Sequence, residues 1–289
     1  MDQLASDGSR FRALPGRVVS SNVTLGAEHV TESGETRPIV AIHQPNFFPW
    51  LGYFHKMRWS DVFVILDDAQ IQKTGGSVTN RTTLVSQGKQ ITFTAPIVRT
   101  KSGGTRIDEV QFAPGDFRER LSRFLEQAYR RAAFVEEVGA KILAMVANPT
   151  DSIAAYNIAA IRGLSAMLGL ETKIVLASTL GVTTTSTARL VDILETVDGR
   201  TYLCGAGAKN YQEDELFFAR GLNVYAQTFS PPLYPRGREE PIAGLSILDA
   251  LLHVGIEETR KLLDQPLDPS CLRLAKDWTG QELAPGRSA

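Results

Sequence analysis

The sequence predicts an α/β fold: a mostly parallel, Rossmann-like sheet with a helical segment inserted. Three observations predict it. Short apolar, β-branched runs recur along the chain, at PIVAI (38–42), DVFVILDD (61–68), TKIVLAS (172–178), RTYLCG (200–205) and LNVYAQTF (222–229), and stretches of helical period separate them. The first two runs are joined by HQPNFFPWLGY, where Pro45, Pro49 and Gly52 punctuate a connection of the length a βαβ unit needs. Residues 116–168 carry apolar side chains at helical spacing with no strand signal between them.

The elements follow in order. Residues 1–37 are polar and rich in Gly, Ser, Thr and Glu, which predicts a disordered extension with a short strand near 17–23. The folded domain is expected over 38–275, and 276–289 reads as a flexible tail. KTGGSVTN (73–80) is a loop because of its Gly75-Gly76 pair, and ITFTAPIV (91–98) alternates like a half-buried strand. One helix is expected from Asp116 to about Ala147, with Leu121, Phe124, Leu125 and Ala128 on its stripe and Pro149 ending it. Thr150 or Asp151 can cap the next helix, which runs to about Leu168 and ends at Gly169. Residues 185–197 form a helix with a Ser/Thr-rich start. A turn at AGAKN and a helix near 211–220 lead to the last strand, 222–229. SPPLYPRG is a loop, GLSILDALLHVG (244–255) is a helix closed by Gly255, and a short helix follows at 257–263.

Composition narrows the function classes. The chain has 289 residues, 43% hydrophobic, with a formal net charge of -1. That length permits one large domain or two small ones, and the balanced charge argues against general nucleic-acid binding. Cys204 and Cys271 are far apart and lack metal spacing, which argues against a disulfide scaffold or structural zinc. There is no apolar signal-peptide core and no run near the roughly 18–20 residues of a membrane helix. The expectation is a soluble, cytoplasmic protein with no membrane partner.

Ligands of open parallel sheets bind beyond the carboxyl ends of the strands. His43, Gln44 and Asn46 stand at one such end, and Asp67, Asp68 and Gln70 at the next, so two polar clusters share one rim. His43 can be a general base, since imidazole titrates near neutral pH, or a buried residue holding the following turn. Successive strand residues face opposite ways, so one of Asp67 and Asp68 would point into the site while the other caps or pairs, and Asp68 would share a face with Gln70 if the strand continues. Asp68 is the second catalytic candidate. Arg81, after Asn80, can hold a phosphate or carboxylate bidentately or form an ordinary salt bridge. Thr185, Ser186 and Arg189 open a helix and so suit a phosphate, although Ser/Thr runs also serve as caps. Gly205 in GAGAKNY lets backbone approach a ligand, with Lys209 as an anion contact and Tyr211 as a stacking surface. Trp50, Phe47 and Phe48 can wall a sugar or base, or pack the core. His55 reads as a partly exposed helix residue, and Cys204 as a buried small residue rather than a nucleophile.

HQPNFFPWLGYFHKM, then DVFVILDDAQ and Asn80-Arg81, and later YLCGAGAKNY and LSILDALLHVG, together resemble the WbqC-like protein family over residues 38–263. The family's characteristic positions fall on His43, Gln44, Pro45, Asn46, Trp50, Gly52, Asp67, Asp68, Gln70, Asn80, Arg81, Gly205 and Tyr211. Cys204, Arg236 and His253 depart from its pattern, where Ser, Gln and Asn are common. The resemblance implies a bacterial protein of O-antigen, polysaccharide or specialised-metabolite biosynthesis. A looser likeness links FFPWLGY and TTSTAR to HIGH-type nucleotidylyltransferases (the HUP fold), with Trp50 and Tyr53 standing where that superfamily has histidines.

These readings predict a transferase that moves an activated acyl or aminoacyl group, from a carrier or aminoacyl-tRNA among other donors, onto an amine of a nucleotide-linked sugar or similar metabolite. His43 would deprotonate the amine, and Gln44, Asn46 and Gln70 would orient the substrate. Such chemistry calls for no metal. Two alternatives stand beside it: a nucleotidyl-transferring or adenylate-forming enzyme, which would require a nucleotide with magnesium, and a non-catalytic protein that binds a ligand or partner.

Overall fold

The computed structural model describes residues 38–71, 78–98, 104–205 and 212–279. The first βαβ unit forms as expected. Strand β1 (Ile39–His43) leads through α1 (Leu51–Arg58) to β2 (Val62–Ile65), and β1 and β2 pair in parallel from Val40↔Val62 to His43↔Ile65. The chain then leaves the sheet for a hairpin, β3 (Arg81–Ser86) and β4 (Lys89–Thr94), a smaller pairing of β5 (Ile97–Val98) with β6 (Gln111–Phe112), and helices α2 (Phe117–Ala128), α3 (Val135–Val146) and α4 (Ile153–Met167). It returns as β7 (Lys173–Leu176), α5 (Ser186–Thr196), β8 (Thr201–Cys204), α6 (Asp214–Phe218) and β9 (Asn223–Ala226), and ends with α7 (Ile247–Leu262) and β10 (Leu272–Arg273).

The main sheet runs β10-β9-β8-β1-β2-β7, parallel except for the antiparallel edge strand β10. Counting only its parallel strands in chain order gives 3-2-1-4-5, the doubly wound arrangement, whose order reverses between β1 and β8. β1 is buried on both faces. Ile39 and Ala41 join a core with α1, the helices of the insertion and α7, while Val40 and Ile42 join a second core with α5, β8 and β9.

Several expectations need correction. The strand expected at 91–98 is two strands, broken at Ala95-Pro96, and β4 pairs with β3, which the sequence reading did not identify. Gln87 and Gly88 supply the two positive-φ residues of that hairpin's turn. The helix expected over 116–147 is broken between Ala128 and Val135. No proline or glycine breaks it; tertiary bonds fix the join, with the Phe134 N–H donating to the Leu252 carbonyl and the Tyr129 hydroxyl to Asp249. Ser152, not Thr150 or Asp151, caps α4 by accepting from the Ala155 N–H. β9 is not the last strand, because β10 follows it. DVFVILDD stops being a strand at Ile65, one residue before Leu66 and well short of Gln70. Gly255 does close a helical segment: its φ of 75° and ψ of -179° kink α7, and a Cβ there would stand 2.6 Å from the Phe134 ring. The strand expected near 17–23, the glycine pair of the 73–80 loop, the AGAKN turn and most of the tail lie outside the described residues.

Candidate functional site at the strand reversal

The site is built from the end of β1. The β1–β8 pairing stops at Ala41↔Leu203, whereas β1–β2 continues to His43↔Ile65, so a gap opens between β1 and β8 from Ile42 onward. His43 lies half-buried at this end, with Nδ1–H donating to the Gln44 carbonyl at 3.1 Å and the ring edge-on to Tyr53 at 4.8 Å. That bond fixes the tautomer and leaves the Nε2 lone pair as the acceptor. Burial, and then the nearby Lys56 ammonium, pull the His43 pKa down to about 3, so the ring is neutral across the physiological range.

Lys56 was absent from the sequence candidates. On α1, whose residues 51–57 are all buried, it is 3% exposed. Its Nζ makes one long hydrogen bond, 3.4 Å, to the Ile42 carbonyl, the first beyond the β1–β8 ladder. A Cβ on Gly205 would stand 3.8 Å from the same Nζ. Burial lowers the Lys56 pKa to about 8, partly offset by Cys204, which is itself buried at the end of β8.

The loop after β1 is rigid. Phe48 adopts a φ of 41° and is fully buried, and its carbonyl accepts from both Thr82 Oγ1 and Ser246 Oγ at 2.8 Å. Asn157 Nδ2 bridges the carbonyls of Pro45 and Thr79. Asn46 is buried with its Oδ1 unpartnered. Phe47 and Phe48 pack among Phe93, Phe112, Phe117 and Tyr156, so they are core rather than a ligand wall. Trp50 is half-buried against Phe229, with its ring over Gly52. Tyr53 is buried, and its hydroxyl finds no partner.

The second cluster adjoins the first, because the Leu66 N–H donates to the His43 carbonyl. A tight turn follows, with the Asp67 N–H returning to the Ile65 carbonyl. The two aspartates diverge, but both are paired. Asp67 accepts from Ser178 N–H and Oγ at 3.0 and 2.6 Å, and Asp68 takes both 2.6 Å contacts from Arg189 Nη2. Asp68 and Arg189, expected as separate site groups, are therefore one ion pair at the sheet edge. Gln70 is exposed and bridges to Arg106 instead of sharing a strand face with Asp68. At the start of α5, Thr185 and Ser186 are exposed, and Ser186 has a φ of 54°.

Asn80 is buried and donates to the Ala95 carbonyl, while Arg81 is half-buried at the start of β3 with its Nε unpartnered. Among the described residues no hydrogen bond or ion pair joins Arg81 to His43, Asp68 or Arg189. Lys209 and Tyr211 lie outside the described residues. The structure thus brings together His43, Lys56 and Gly205, and separately Asp68 with Arg189.

His55 is not a partly exposed helix residue. It is 1% exposed, and both ring nitrogens are engaged, Nε2–H donating to the Gln265 carbonyl at 2.9 Å and Nδ1 accepting from Gln227 Nε2 at 2.7 Å. Burial lowers its pKa from 6.5 to about 4, against the Gln265 bond, which raises it. Between those values the unfolded chain binds a proton that the folded ring refuses, so stability should be lost as pH falls from about 6.5 toward 4. The expected slope is up to about 1.4 kcal/mol per pH unit for this one ring. Urea midpoints at pH 7, 6 and 5 would measure it, and His55→Gln should flatten the trend.

Among the described residues no cluster of three or more His, Cys, Asp or Glu side chains could hold a metal ion, and no helix is long and apolar enough to cross a membrane. The protein "Uncharacterized protein Rv1507c" of Mycobacterium tuberculosis is 27% identical over 229 residues, covering 75% of this chain and 94% of that protein. No solved structure matches the chain. The model of the WbqC-like protein family matches residues 44–261, three-quarters of the sequence, from just after β1 through the insertion and into the last turn of α7, and the chain belongs to that family.

Proposed function

We propose that the protein is a biosynthetic transferase that moves an activated acyl or aminoacyl group onto an amine, in the assembly of a decorated sugar or similar metabolite. The observation that carries this reading is His43: a neutral imidazole at the strand reversal, oriented by its bond to Gln44 and left with Nε2 as an acceptor. As the amine nitrogen attacks the acyl carbon, the new C–N bond makes its N–H acidic. Nε2 takes that proton and returns it to the leaving group as the donor bond breaks. The low resting pKa keeps the ring in its proton-accepting form at neutral pH, at a cost in basicity that ligand binding would have to offset. Gln44 and Asn46 flank the same position and can orient the substrate, and Arg81, whose buried Nε has no partner, can reach a phosphate or carboxylate with the rest of its guanidinium. The Arg189 pairing with Asp68 argues against Asp68 as a magnesium ligand, and with it against nucleotidyl transfer.

A thermal-shift screen over nucleotides, nucleotide-linked sugars, acyl-CoA and aminoacyl donors tests the reading. A ligand at 100 times its dissociation constant should stabilise the fold by about 2.7 kcal/mol. Stabilisation by an acyl or aminoacyl donor supports acyl transfer. Response to ATP or CTP with magnesium alone would replace it with nucleotidyl transfer, and no response would favour a binding protein.

A further inference from the structure

A lysine inside a protein is ordinarily matched by a carboxylate, or its three N–H donors are satisfied by several acceptors. Lys56 has neither. Among the described residues its Nζ has a single bond, 3.4 Å to a backbone carbonyl, and no carboxylate pairs with it. The stretch GAGAKNY that continues from β8 contains no acid either. The ammonium lies where β1 and β8 part, which is the point at which doubly wound sheets receive ligands. Residue 205 is a glycine, so it sets no side chain against Nζ from the β8 side.

We propose that Lys56 is the anchor of an anion subsite in the crevice between β1 and β8, and that it pairs there with a carboxylate or phosphoryl oxygen of the ligand. The missing counter-charge is the ligand's own. His43, at the same strand end, would then face the neutral part of the ligand, next to the group held by Lys56. The Lys56 pKa, lowered by burial and only partly restored by Cys204, agrees with an ammonium for which no described carboxylate compensates the loss of water. The inference concerns ligand charge and does not depend on acyl transfer, so it can survive the failure of that reading.

The test uses the full chain, as wild type, Lys56→Met and Lys56→Gln, with inorganic phosphate and acetate as probes against sodium chloride of equal ionic strength. Without either anion, both variants should melt at or above the wild-type temperature, because an unpaired buried charge has been removed. Phosphate, acetate or both should raise the wild-type melting temperature in a saturable way, and binding should weaken about 10- to 100-fold in the variants. A response to phosphate alone identifies a phosphoryl subsite, and a response to acetate alone identifies a carboxylate subsite. Variants that both melt lower or fail to fold would make Lys56 structural and overturn the proposal. Equal responses in wild type and variants, or none in wild type, would also overturn it.

Discussion

Asp249→Ala should lower the unfolding free energy by about 3–5 kcal/mol, the cost of leaving a buried charge without its partner. Asp249 is completely buried at the start of α7 and takes both arms of the Arg236 guanidinium at 3.0 Å. It also accepts from the Tyr129 and Tyr234 hydroxyls at 2.9 and 2.8 Å, and Tyr129 in turn accepts from the Val85 N–H. Burial, reinforced by the Asp249 charge, holds both phenols well above their usual pKa, so they remain donors at any working pH. Removing the carboxylate leaves the Arg236 guanidinium with Glu239 alone and takes the acceptor from two buried hydroxyls at once. Urea unfolding would measure the loss. The double variant Asp249→Leu/Arg236→Met should recover the part of the loss that comes from the broken ion pair, while the Tyr129 and Tyr234 hydroxyls still lack their acceptor.

On the transferase reading proposed above, His43→Ala should reduce turnover by about 10²- to 10⁴-fold, the usual contribution of a positioned general base, with the circular dichroism spectrum unchanged. The pH dependence is the sharper test. With the His43 pKa at about 3, the rate should stay level as pH falls from 7 to 5, where an ordinary histidine would produce an acid limb near 6.5. A wild-type limb near 6.5 that vanishes in His43→Ala would mean that the free enzyme holds this ring in water-like surroundings. Unchanged turnover in the variant would remove His43 from the chemistry altogether.

The parallel sheet was legible because its strands are short β-branched runs with turn residues between them, and Gly169 and Gly255 marked helix ends correctly. Sequence failed where distant partners decide local structure. Nothing local separates α2 from α3; Tyr129 and Phe134 are fixed by bonds to α7. β3 did carry a local signal, three β-branched residues in RTTLVS, but its six-residue run lies against the 73–80 loop and was overlooked. The rim of His43, Asp67 and Asp68 was visible, but the capture of Asp67 by Ser178 and of Asp68 by Arg189 depends on residues over a hundred positions away. Lys56 was hidden for a different reason. A lysine on a short helix reads as solvent-facing, and the one clue was the company of Leu51, Phe54 and Met57 on a helix with too little polar surface to have an outside.

The central place of β1 also orders the events of synthesis. β1 is the first strand of the sheet to leave the ribosome, and β2 can pair with it almost at once, but β8 on its other side emerges much later. The Phe48 carbonyl waits longer still, for a Ser246 hydroxyl 198 positions downstream. Until then the loop after His43 lacks its last tether. The geometry of the β1 loop is thus a product of chain completion, and a nascent or truncated chain that ends before α7 would carry His43 and its loop without the Ser246 tether.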